Sequence, residues 1–160
     1  MTEAHYSQPK PPSSLSGYFE ALTRIVFQSG MNWRVIDAKW PGIRAGFRDL
    51  DPRRVARMTA RDIDRLAKDA RVIRNVPKIE ATVMNAREMV ALDKAPGGFK
   101  GYVRSLGSFE EAAPTLRKRF RFLGDHGSYY FLWSVGEKVP SWQEWSGARG
   151  PKRPTASNRR

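Results

Sequence analysis

The amino-acid sequence predicts an all-α fold class, an irregular multi-helix bundle. Three observations predict it. Apolar residues recur at spacings of three and four along most of the chain, which is the helical period. Cap residues stand before most of those stretches. Runs of β-branched residues, the usual mark of strands, are absent.

The elements follow in order. Ser14 or Ser16 is placed to cap a first helix that carries Phe19, Leu22, Ile25 and Val26 on one face. A second helix is expected from Asn32, with Trp33, Ile36 and Trp40 in register. Pro41 should interrupt it or open a fresh turn, and Ile43 and Phe47 continue the apolar stripe. Asp51-Pro52 is a cap followed by a proline at the first helical position, opening a short helix through Val55 and Met58. Thr59 and Asp62 have capping-box spacing, with Asp in place of the usual Glu or Gln, ahead of Ile63 and Leu66. A long helix is expected from about Pro77 to Leu92, turning Ile79, Val83, Ala86 and Val90 inward. Pro96-Gly97-Gly98 reads as a loop, and Phe99 to Leu106 as a short helix. Ser108 and Glu111 form another capping box, which Pro114 should limit. Thr115 to Phe120 then reads as a separate basic helix. Gly124 to Gly127 reads as a tight connection into an apolar helix from Ser128 to Val135.

The length of 160 residues suits one domain with one core. Residues 1–14 are polar and rich in Pro and Ser, expected as a disordered lead-in. Residues 15–146 form the helical domain. Residues 147–160 hold five cations and no acid, expected as a flexible basic tail. Lys and Arg outnumber Asp and Glu by 29 to 16, a formal net charge of +13. Taking the tail's five cations from +13 leaves +8, so the folded part is basic as well. Such an excess attracts polyanions and favours nucleic acid. Cysteine is absent, which excludes disulfides and thiol nucleophiles and fits a reducing cytoplasm. With His5 and His126 the only histidines, a Cys/His zinc site is not available, and neither a metal nor a cofactor is expected. No apolar run reaches membrane-spanning length, and the first residues lack a signal peptide's apolar core.

Three stretches carry chemistry. In the first, Arg117, Lys118, Arg119 and Arg121 lead through Phe122-Leu123 to Gly124 and Gly127. Glycines at a helix start let backbone amides approach a phosphate, so Lys118, Arg121, Gly124 and Gly127 are candidate DNA-backbone contacts in a helix-hairpin-helix-like element. An ordinary helical corner with solvated charges fits the same residues. In the second, Gln28-Ser29-Gly30-Met31-Asn32-Trp33, a tryptophan beside amides suits the stacking of an extruded base. A core tryptophan with capping residues fits the same stretch, and this stretch alone favours that reading. In the third, Arg74 and Lys78 stand before and at the start of the long helix, placed to clamp phosphates or to form a solvated face.

Together these stretches, with Phe19-Glu20, Leu50-Asp51-Pro52, Ile73-Arg74, Lys78-Ile79, Asn85-Ala86-Arg87 and Phe120-Arg121-Phe122-Leu123-Gly124, resemble the DNA-3-methyladenine glycosylase I family of the helix-hairpin-helix glycosylase superfamily, over roughly residues 18–136. The resemblance implies a DNA glycosylase of base excision repair. It would extrude an N3-methylated adenine, stack it near Gln28 and Asn32 on Trp33, and cut its glycosidic bond. It also implies double-stranded, damaged DNA as partner; no membrane partner is expected, and the working unit is expected to be a monomer. The family's pocket glutamate falls at Ile25, and its zinc ligands and N-terminal aromatic and acidic motif have no match, so no catalytic residue is assigned. Glu20, Asp37, Asp125, Glu137 and Glu144 are the acids that stand near enough in sequence to be weighed as substitutes. A non-catalytic DNA-binding module on the same scaffold is the alternative.

Overall fold

The computed structural model describes residues 7–148, and among them the chain forms nine α-helices and no strand. The expected tail from residue 149 onward and the first six residues of the expected lead-in lie outside the described residues. From Gln8 on, the lead-in is attached to the bundle. The Gln8 amide donates to the carbonyls of Trp133 and Glu137, and Pro11 packs on Gly136.

Helix α1 (Leu15–Gln28) is capped by Ser14, whose hydroxyl accepts from the Gly17 amide. It buries Phe19, Leu22, Val26 and Phe27, as its period requires. Helix α2 (Trp33–Gly46) starts at the Asn32 cap and runs through Pro41 without a break. Its ring removes one backbone donor on an exposed face. Burial of Ile36, Trp40 and Ile43 on the opposite face outweighs that loss. A left-handed turn follows at Arg48, Asp49 and Leu50, all at positive φ. The Arg48 guanidinium fastens it to the Arg54 carbonyl and to Asp62.

Helices α3 (Pro52–Val55) and α4 (Ala60–Ala67) follow, and the Thr59–Asp62 capping box forms with both of its bonds. Helix α5 (Val76–Leu92) is the central element, packed on α1, α3, α4 and on α6 (Gly98–Ser105). Helix α7 (Phe109–Arg119) runs through Pro114, which corrects the expected division at that residue. Its capping box forms, and Ala112, Ala113 and Leu116 hold one continuous buried stripe across the proline. Helix α8 (Asp125–Ser134) starts three residues before the expected Ser128. The connection between α7 and α8 is therefore Phe120–Gly124 alone, with Gly127 inside a helix. Helix α9 (Trp142–Ala148), not foreseen, lays Trp145 flat on Tyr129 with ring centroids 4.5 Å apart. The core runs through the whole bundle, with Phe19, Phe27, Phe47, Phe99 and Phe131 fully buried.

Candidate functional site

The corner between α1 and α2 is built by its backbone. The Met31 amide bonds the Gln28 carbonyl, Gly30 takes φ +72°, and the Asn32 side chain accepts from the Arg34 amide at 2.8 Å. That geometry needs a glycine at position 30, because a side chain there would be strained. It sets Trp33 at the first position of α2, where the indole is 65% exposed. A core role for Trp33 is thereby excluded. The Asn32 oxygen serves as the cap, and Gln28 is half-buried at the end of α1.

The second part of the site is the turn from Phe120 to Gly124. Asn85, 2% exposed on α5, grips this turn like a strand partner. Its oxygen accepts from the Arg121 amide at 2.8 Å and its nitrogen donates to the Arg121 carbonyl at 3.2 Å. The next residue, Phe122, stands at φ +61°. That conformation costs a non-glycine residue roughly 1–2 kcal/mol and needs such a clamp. Helix α8 then begins at Gly124 without a side-chain cap, so its first amides point out of the helix end.

The two parts meet through α1. Ile25 packs on Gly127. A Cβ added at Gly127 would lie 3.1 Å from the Ile25 Cγ2 and 3.3 Å from the Leu123 Cδ1. From Ile25 the axis of α1 advances only about 4.5 Å to Gln28. The first turn of α8 and the tryptophan corner therefore share one end of the molecule. Gly127 thus has a different use from the expected one, making room for Ile25. Gly124 has open space around it.

The expected cations divide in two. Arg74, Lys118 and Arg121 are exposed and make no ion pair among the described residues. Their neighbours Arg117 and Arg119 are bound to Asp125 and Glu88 at 3.3 and 3.0 Å. Lys78 is corrected. It is 3% exposed, and its ammonium donates to the carbonyls of Phe27 and Ser29. It faces the protein, and no solvent phosphate can reach it. Arg34, exposed and without an ion pair among the described residues, stands one residue beyond Trp33 and was not singled out in the sequence.

The weighed acids are engaged elsewhere. Burial pulls the Glu20 carboxyl upward, but Arg44 and the Trp40 indole outweigh it and hold it below its usual value. Asp37 pairs with Arg24, Glu137 with Arg104, and Glu144 closes a box with Ser141. Among the described residues no group of three or more His, Asp or Glu side chains is arranged to hold a metal ion.

The family model for methyladenine glycosylase matches residues 9–121, which include the tryptophan corner, the whole of α5 and the Arg121 clamp. The chain belongs to the methyladenine glycosylase family. Within the family it is similar to the DNA-3-methyladenine glycosylase of Haemophilus influenzae. The identity is 29% over 148 residues, covering 79% of this chain and 80% of that one. It is 27% identical over 147 residues to DNA-3-methyladenine glycosylase 1 of Escherichia coli, covering 79% of each. A solved structure of 3-methyladenine DNA glycosylase I from Staphylococcus aureus superposes with a TM-score of 0.71 at 26% identity. It covers 82% of this chain and 81% of that one. This family member therefore shares the all-α glycosylase fold along most of its length, and carries it with an isoleucine packed beside the first turn of α8.

Proposed function

We propose that this protein is a DNA glycosylase of base excision repair that hydrolyses the N-glycosidic bond of an alkylated base of the 3-methyladenine type. The observation that carries the reading is Trp33. A largely exposed indole, fixed at a helix start by the Gly30 and Asn32 turn, is a platform for an extruded base, and the family is one of methyladenine glycosylases. A methylated adenine carries a positive charge, and an indole face attracts cations by about 0.5–2 kcal/mol. Stacking on Trp33 favours the damaged base over neutral ones. Asn32 and Gln28 offer amide groups to its edge.

The chemistry asked of the protein is small. Water adds to C1′ of the sugar, the C1′–N bond breaks, and the proton released by the water passes to solvent. The bonding pair stays on the departing base, which becomes neutral. A leaving group that starts as a cation needs no proton from an acid, which is consistent with Ile25 bordering this end of the molecule. Arg74, Lys118, Arg121 and the open Gly124 amide region hold the phosphates of damaged duplex DNA. The working unit is a monomer acting in the cytoplasm.

The test is release of free 3-methyladenine from methylated duplex by the purified protein, beside Trp33→Ala. Release that falls at least about tenfold in Trp33→Ala supports the reading. No release from the native protein, with salt-sensitive DNA binding retained, assigns the chain to binding alone.

A further inference from the structure

We propose that Lys78 is a positioning residue that holds the tryptophan corner and the turn before α8 in one fixed relation; this rests on the glycosylase reading. Lys78 is the one charged side chain that is buried among the described residues. Burying an ammonium is costly unless it is fully used, and a methionine would fill the same space without that cost. Its place in the chain makes the choice more unusual. It sits in the first turn of α5, where a helix dipole disfavours a cation. The side chain leaves that unfavourable end and reaches the opposite pole of another helix, the carboxyl end of α1.

There the ammonium donates to the carbonyls of Phe27, at 3.1 Å, and of Ser29. These two carbonyls bracket Gln28 and immediately precede Gly30, where the chain turns toward Trp33. The same ammonium lies 6.0 Å from the centre of the Phe122 ring, on the residue at positive φ in the turn before α8. Asn85, two turns further along α5, clamps the neighbouring Arg121 backbone. One rigid helix thus fixes both halves of the site, and the Lys78 ammonium bonds one of them and lies over an aromatic ring of the other. A base stacked on Trp33 and a backbone gripped near Gly124 must keep a fixed separation for water to reach C1′, and loss of such alignment lowers the rate of the chemical step more than binding.

The experiment is amide hydrogen exchange and steady-state base release on Lys78→Met, Lys78→Arg and the native chain. In folded Lys78→Met, exchange should rise about tenfold or more over residues 28–33 and also over 120–124, and stay unchanged in α7. Release of 3-methyladenine at saturating DNA should fall at least about tenfold while KM moves less than about threefold, and Lys78→Arg should recover most of both. Should Lys78→Met fail to fold, Lys78→Gln, shorter and uncharged, is read by the same criteria. Exchange that rises on one side only, or on neither, overturns the proposal, as does an unchanged rate at saturating DNA. A native chain that releases no base refutes the glycosylase reading instead, and the exchange arm still decides the role of Lys78.

Discussion

At the scale of the residue, the two glycines that look alike in the sequence have opposite uses. Gly124 is in open space, whereas Gly127 lies against Ile25 and Leu123. Gly124→Val should leave thermal stability within about 0.5 kcal/mol and weaken DNA binding. Gly127→Val should cost about 1–3 kcal/mol of stability by overpacking before any effect on DNA is seen. Thermal denaturation beside a binding isotherm for each variant separates the two. Lys78 gives a second single-residue expectation. Burial lowers its pKa from the usual 10.5, so the unfolded chain binds the proton more tightly than the folded one. Stability therefore rises with pH between the depressed folded value and about 10.5, and this contribution is absent in Lys78→Met. The difference between the two stability–pH curves isolates it, because Tyr18 and Tyr130, both raised by burial, titrate equally in each protein. A flat difference curve would show that the ammonium is not desolvated.

At the scale of the element, α5 is a girder with polar fittings along its length. Lys78 fastens the end of α1, Asn85 the turn before α8, Arg87 the carbonyls of Ala56 and Met58, and Glu88 the end of α7 through Arg119. Asn85→Ala should cost about 1–3 kcal/mol, since it leaves the Arg121 amide and carbonyl without their partner, and should speed exchange at Phe120–Gly124 ahead of α1. The helices themselves were legible because caps and apolar period agree. Ser14, Asn32, Thr59 and Ser108 begin their helices as expected. Pro41 and Pro114 were read as breaks because local chemistry says so, and tertiary burial of the opposite faces overrides that chemistry. Lys78 was read as a surface cation because a lysine's burial depends on which carbonyls the fold brings to it, and that is a long-range fact. Asn85 stood in a recognised stretch without a role for the same reason, since its partner is 36 positions away. The exposed indole of Trp33 could be named but not decided, because a cap followed by a tryptophan reads alike in a core and at a surface.

At the scale of the whole molecule, the charge of +13 is spread unevenly in its effect. Arg117, Arg119, Arg71 and Arg53 are held by carboxylates, while Arg74, Lys118 and Arg121 make no ion pair among the described residues. The unpaired cations can each displace a counterion from DNA. Changing Arg74, Lys118 or Arg121 singly to Gln should lower the slope of log affinity against log salt by about 0.9 each. Arg119→Gln should change it less, because Glu88 already neutralises that side chain. Titrations of one duplex at several salt concentrations measure every slope. Equal changes at paired and unpaired positions would show that only total charge matters.

The contact between Ile25 and Gly127 also sets an order of events in time. A Cβ at position 127 would press on the branched methyl of Ile25 at 3.1 Å and on Leu123 at 3.3 Å, so growth at 127 requires these side chains to give way by a few tenths of an ångström. A lineage or library that moves this pair toward a polar wall is therefore eased by altering position 25 first. A screen that mutates 127 alone samples mostly destabilised proteins, and varying the two sites as one unit reaches more of the folded ones.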